Sequence, residues 1–237
     1  MVWAWLRTRV VDARRVIAVD GKTCAGAKGA AGHFTHLLAA HDQASGVVLG
    51  QVEVGAKTNE IPLITDLLAA FDLTDVVVTA DALHCHRASA ECIVGRGGRY
   101  VFTVKNNQRA LRNLLKVLPW NEIPVSSSIG GRDRGRRERR TIKATEVAGG
   151  LGFPHAVQVL LVRRTVTRGG WRSVEVVYLV TSMPMVSAAP LQVAAWVSCG
   201  WPTRRLSPWR ARLPDRRPAG CRSTSVFWFP TPRDPCP

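Results

Sequence analysis

Two aspartates stand where short apolar runs end. Asp20 closes the run Val16-Ile17-Ala18-Val19, and Asp81 closes Val76-Val77-Val78-Thr79-Ala80. If both runs are strands lying side by side, the two carboxylates can share a divalent cation. Mg²⁺ prefers carboxylate and water oxygens. A pair of such ions about 3.5–4 Å apart can activate an attacking oxygen and stabilise a leaving one. That is the chemistry of phosphoryl transfer on a nucleic acid. Each aspartate also has a structural reading: Asp20-Gly21 is a turn signal, and Asp81 can cap a following helix.

Other residues that could carry chemistry are less specific. Lys105 closes a further predicted strand, where it can contact a phosphate or simply remain solvated. His84, Cys85, His86 and Cys92 cluster in sequence, yet His84 and His86 on one helix point to different sides. Thiolates also suit zinc rather than Mg²⁺, which argues against a metal site there. The basic run from Arg132 to Arg140 encloses one acid, Glu138.

The elements that position these groups follow from hydrophobic period. Strands are expected over 16–20, 36–41, 47–54, 75–81 and 100–105. Apolar residues at 61, 64, 67, 68 and 71 mark a helix over 59–71. Further helices are expected over 84–94, stopped by Gly95, Gly97 and Gly98, and over 108–118. Three strands followed by alternating helices and strands indicate an α/β sheet with helices packed on it. Residues 119–180 read as a β-rich insertion: a loop at VSSSIGG, the basic run, then a hairpin of 157–166 and 174–181. From about residue 198 the pattern stops. Residues 198–237 are rich in Arg, Pro and Trp without any period, so they read as a disordered basic tail or, preferably, as a stretch translated out of frame.

Charge and composition set the partner class. The chain has 237 residues, is 46% hydrophobic and carries a net charge of +16. Such a field favours a polyanion, most commonly nucleic acid, although an Arg-heavy, Lys-poor composition also fits a GC-rich genome. The excess does not depend on the tail, since residues 1–186 hold 25 Lys and Arg against 15 Asp and Glu. No apolar run approaches the roughly 20 residues of a membrane-spanning helix. The N-terminus lacks the charge order of an export signal, so a cytoplasmic, nucleoid-associated location with reduced cysteines is expected.

The segments IAVDGKT, HLLAAHD, VVLGQVEVGAKTNEIP, TADALHCHRASAECIVGRGGRYVFTVKNNQ and RGRRERR occur in this order. Together they resemble the transposases of bacterial insertion sequences, specifically the ISAs-one (H-repeat-associated) group of DDE transposases. The resemblance spans roughly residues 15–197. It implies an RNase H-like fold, a mixed sheet flanked by helices, over a transposase domain at 15–186. It further implies metal-dependent cleavage and transfer of DNA strands, with transposon ends and target DNA as partners. A homo-oligomeric assembly is compatible with this. In the family the Asp of D-G-K and the Asp of T-A-D-A are the first two metal-binding acids, which map to Asp20 and Asp81, with two Mg²⁺ ions as cofactor. Lys57, Asn59 and Glu60 match the K-x-N-E motif, and Lys105, Asn107 and Gln108 match K-x-N-Q. The H-G-R-x-E-x-R motif places Arg at 134 instead of His and offers Glu138 as a candidate third acid. Lys22, Lys105, Arg134, Arg136, Arg137, Arg139 and Arg140 are the expected DNA contacts.

Related transposases place the third acid later, in an H-W-x-I-E-N helix. After Ala195-Trp196-Val197 this chain reads Ser198-Cys199-Gly200-Trp201-Pro202-Thr203, and no Glu follows Glu175. The helical N-terminal region usual in the family is also missing. The expectation is therefore a truncated or degraded copy of a transposase. Its alternative is a catalytically inactive DNA-binding remnant whose arginines contact phosphate without chemistry.

Overall fold

Burial on both sides fixes the centre of the sheet. In the computed structural model, which describes residues 14–28, 34–54, 60–133, 135–147 and 151–198, every residue of β4 (Val77–Ala80) is buried. All but the first residue of β5 (Arg99–Val104) are buried too. Continuous apolar strands of this kind belong between two layers. β1 (Val16–Lys28) runs parallel to β4, with Val19 beside Ala80, and β4 runs parallel to β5, with Ala80 beside Phe102. β2 (Phe34–Asp42) and β3 (Val48–Val54) add antiparallel on the other side of β1. The resulting order, β3-β2-β1-β4-β5, is RNase H-like.

Three helices cover one face. α1 (Glu60–Ala69) presents Ile64, Leu67 and Leu68, α2 (Arg87–Gly95) Ala90 and Ile93, and α3 (Arg109–Val117) Leu111 and Leu115. These pack on Ile17, Val19, Val78, Ala80, Tyr100 and Phe102. Arg96 ties α1 to α2 by donating to the carbonyls of Leu68 at 2.8 Å, Ala69 at 3.3 Å and Phe71. They belong to the end of α1 and the turn after it, where helix carbonyls need partners from outside the helix. The opposite face holds Val16, Val77, Val101, Leu160, Val162 and Leu179, and α4 (Pro190–Ser198) lies on it through Val193 and Ala194.

Several boundaries differ from the sequence expectation. Asp20-Gly21 is not a turn, because β1 continues to Lys28 and Gly21 pairs with Leu38 of β2. β2 is long enough to carry the hairpin past that dipeptide. The helix expected over 84–94 is split. Asp81 caps a 3-10 turn at Ala82–His84, and α2 starts only after His86. VSSSIGG and the basic run are strands: β6 (Val125–Asp133) and β7 (Arg136–Glu146). Serine and glycine disguise β6 as a loop, while Ile142 and Ala144 anchor β7 in the core. β8 (Gln158–Arg168) and β9 (Trp171–Thr181) form the expected hairpin. Gly169 and Gly170, at φ 54 and 81, supply its two-residue turn. This β-rich stretch continues the main sheet, since β9 pairs with β5, giving nine strands with β9-β8-β7-β6 on the far side.

Among the described residues no helix is long and apolar enough to cross a membrane. The tail from residue 199 and the K-x-N-E residues Lys57 and Asn59 lie outside the described residues, and Glu60 enters only as the first residue of α1.

Phe102 is fully buried and stacked on Tyr100, with ring centroids 4.6 Å apart. Phe102→Ala should cost about 3–5 kcal/mol of unfolding free energy in urea titration. Val186→Ala, at a 94% exposed position, should stay within about 0.5 kcal/mol.

Candidate active site

The parallel register decides where the two aspartates stand. Val19 of β1 is level with Ala80 of β4, so Asp20 and Asp81 each follow a level pair by one residue. Neighbouring strands are about 4.8 Å apart and successive side chains alternate between faces. Val19 and Ala80 face the three helices. Asp20 and Asp81 therefore fall together on the opposite face, that of Val16, Val77 and Val101, at the end where β4 leaves the sheet. Asp20 is half-buried and Asp81 exposed.

Asp81 fulfils its structural reading as well. Its Oδ1 accepts the Leu83 N–H at 2.9 Å, which starts the 3-10 turn. That bond fixes the carboxyl group and leaves its second oxygen for another partner. Among the described residues no Lys or Arg forms an ion pair with either aspartate. Two adjacent carboxylates repel each other, and a hard divalent cation is a partner that two carboxylates and water suit. The donor set fits one such ion. Among the described residues no group of three or more His, Cys, Asp or Glu is placed to hold a metal.

Amides that the sequence pattern undervalues brace the site. Asn107 of the K-x-N-Q segment donates to the Ala82 carbonyl, next to Asp81. Gln108 reaches His86 Nδ1 at 3.5 Å. Gln43 donates to Thr79 Oγ1 at 3.1 Å and to the Trp196 carbonyl at 2.7 Å, linking α4 to the strand that ends in Asp81. The asparagine and glutamine could have been suspected from their place beside Lys105; Gln43, in a turn, carries no such signal. Lys105 is exposed one residue past β5. By alternation it shares the face of Val101 and the two acids. Lys22 lies two residues beyond Asp20 on β1, opposite Leu37. Arg134 lies outside the described residues.

His84 is buried in the 3-10 turn, and burial pushes the Cys85 thiol up to about 12. Burial thus favours the neutral thiol over the thiolate.

Glu138 is not brought to the aspartates. It sits on β7, four strands from β4, roughly 19 Å across the sheet at the usual spacing. Through the registers of β5, β9 and β8, the level of Asp81 meets β7 at Ala144. Glu138 is six residues further on, roughly 20 Å along the strand. Its carboxylate is already engaged. Arg136 donates at 2.5 Å, Arg140 at 2.9 Å and Arg164 at 2.9 and 3.1 Å. Partial burial opposes ionisation of Glu138, but hydrogen bonds from Arg164 and Arg140, then their charges, outweigh it and hold the carboxyl at about 2. The third-acid expectation for Glu138 therefore gives way to a clamp between two strands. The same clamp occupies Arg136 and Arg140, two of the arginines expected on DNA. Arg137 and Arg139 point to the other face and are exposed.

A β3-β2-β1-β4-β5 sheet in which Asp20, within β1, stands level with Asp81 at the end of β4 defines an RNase H-like protein with a candidate metal site. Residues 10–201 match the transposase DDE domain family. The chain is 33% identical over 144 residues to the H repeat-associated putative transposase YhhI of Escherichia coli K12, covering 57% of this chain and 38% of that protein. It is 41% identical over 131 residues to an uncharacterized protein in the dhlA 3′ region of Xanthobacter autotrophicus, covering 53% and 44%. The structure of the piggyBac transposase synaptic complex with hairpin DNA aligns with 76% of this chain and 37% of that one, at TM-score 0.40 and 14% identity. The fold assignment rests on the strand order. The chain belongs to the transposase DDE domain family, in its H-repeat-associated insertion-sequence group. It spans less than half the length of YhhI and of the Xanthobacter protein.

Because the Glu138 carboxyl lies below its ordinary 4.5 in the folded state, its stabilisation is complete above that value. It is lost as pH falls from about 4.5 towards 2. Glu138→Gln should cost about 1–3 kcal/mol at pH 7, the penalty of leaving half-buried charged donors poorly paired. The difference from the unaltered protein should shrink steadily when urea titrations are repeated from pH 5 downwards.

Proposed function

We propose that the chain is the RNase H-like part of an insertion-sequence transposase that binds DNA and carries two of the acids for metal-dependent strand cleavage and transfer. The observation that carries this reading is the parallel register that sets Asp20, within β1, level with Asp81, one residue past β4. Asp20 and Asp81 would hold the cation, Mg²⁺ in the family reading. When bound, such an ion supplies Lewis-acid stabilisation of the charge that builds on oxygen as a phosphodiester is cleaved.

The chain's own residues set up that chemistry. Asp81 is oriented by the Leu83 N–H, and the turn behind it is pinned by Asn107. Lys105 would hold a DNA phosphate beside the two acids and offset its charge. α4 is docked through Gln43, and by the family resemblance a helix bearing the third acid would follow it.

Two acids without a third make a poor catalyst. We read this chain as a damaged copy that binds DNA and cleaves it weakly, because a ligand that works as part of a unit is not replaced by the others. Glu138 is too distant and too firmly paired to serve. The test is cleavage of a transposon-end duplex by three proteins. The unaltered chain should fall at least about 10²-fold below a version carrying the family's H-W-x-I-E-N helix after Val197. Asp81→Asn in that restored version should abolish the gain, while the Asn side chain can still cap the 3-10 turn. Full cleavage by the unaltered chain, lost on Glu138→Gln, would contradict the reading.

A further inference from the structure

The outer strands β6 to β9 extend beyond the sheet as a ribbon, and its two faces carry different charge. On one face Arg136, Arg140 and Arg164 are drawn into ion pairs with Glu138, Arg164 also pairs with Glu175 at 3.5 Å, and Arg168 lies opposite Arg136. The other face is read from the same registers. Arg132 lies opposite Arg137, Gly130 opposite Arg139, Thr141 opposite Arg163, and Thr167 opposite Arg172. All five arginines are exposed. The positions that share their face (128, 130, 132; 137 to 143; 161 to 167; 172 to 178, each by twos) include no Asp or Glu. Like charges directly opposite across strands, as at Arg132 and Arg137, destabilise a sheet. An uncompensated row of five guanidinium groups therefore calls for an external polyanion.

The placement of the ribbon names the occupant. Leu179 is the residue of β9 level with Asp81, and β9 begins eight residues away at Trp171, roughly 27 Å beyond. The ribbon projects past the same end of the sheet at which Asp20 and Asp81 stand, and its arginine face continues the helix-bearing side through Leu161 and Tyr178, opposite the face of the two acids. β1 projects eight residues past Asp20 on the other side. A duplex carries one negative charge per about 1.7 Å of its axis, which matches a spread-out arginine face better than a point ligand does.

We infer that the ribbon grips the phosphates of duplex DNA through one face only, with Arg132, Arg137, Arg139, Arg163 and Arg172, while Arg136, Arg140 and Arg164 hold the strands together. The inference rests on the reading of the chain as a DNA transposase and says which arginines meet the duplex.

The experiment follows binding of the full chain to a 30-base-pair duplex by fluorescence anisotropy across a NaCl series. Each phosphate contact contributes about 0.9 to the slope of log K against log salt. Arg137→Gln, Arg139→Gln and Arg163→Gln together should lower that slope by about 2–3. The same charge removed elsewhere, as Arg99→Gln, Arg112→Gln and Lys116→Gln, should change it by less than about 0.5. Thr165→Arg, which adds a charge to the same face, should raise the slope by about 0.9, a gain that misfolding cannot produce. Equal slopes for the two triple variants, or no gain with Thr165→Arg, would overturn the face assignment alone. No binding by the unaltered chain at low salt would overturn the DNA reading and the face assignment together.

Discussion

The parallel pairing of β1, β4 and β5 is the constraint on which the site depends. In a sheet, a slip of one residue turns every side chain to the opposite face. Here such a slip would bury Asp20 or Asp81 against α1 and α2 and expose Val19 or Ala80. Both faces of β4 and β5 are packed, so the cost of a slip is paid twice: Val78 and Phe102 would leave one core, Val77 and Val101 the other. Burial of apolar side chains thus places two charged ones side by side, although the carboxylates themselves contribute nothing favourable to that arrangement.

The rest of the sheet distributes charge around this point. Acids occupy the middle, where β4 ends, and arginines occupy the ribbon to one side. Glu138 is the hinge of that distribution. By drawing Arg136, Arg140 and Arg164 onto one face it secures β7 to β8, and by strand alternation it leaves Arg137 and Arg139 facing away. A single glutamate inside a basic run is thereby a structural residue whose effect is to sort its neighbours.

The sequence made the central strands and the two aspartates legible because their signals are local: apolar runs, each ended by one acid, in recognisable motifs. β6 was not legible, since Ser126-Ser127-Ser128 and Gly130-Gly131 favour loops and take up strand geometry only beside β7. The role of Glu138 was hidden for a different reason. Its motif position suggested catalysis, whereas the partner that decides its role, Arg164, is 26 residues away and meets it only through the β7–β8 register. Asn107 was visible as a motif residue, but its bond to the turn after Asp81 depends on β4 and β5 being neighbours. Alternation within a strand, once β7 is known to be one, would have separated Arg136 and Arg140 from Arg137 and Arg139.

The central claim is that Asp20 and Asp81 share one divalent cation, and titration of the protein with Mn²⁺ followed by electron paramagnetic resonance tests it most directly. One ion should bind per chain, and binding should be lost in Asp20→Asn and equally in Asp81→Asn, while Glu138→Gln leaves it unchanged. Binding that survives either aspartate substitution, or that disappears with Glu138→Gln in a protein still folded, would contradict the account.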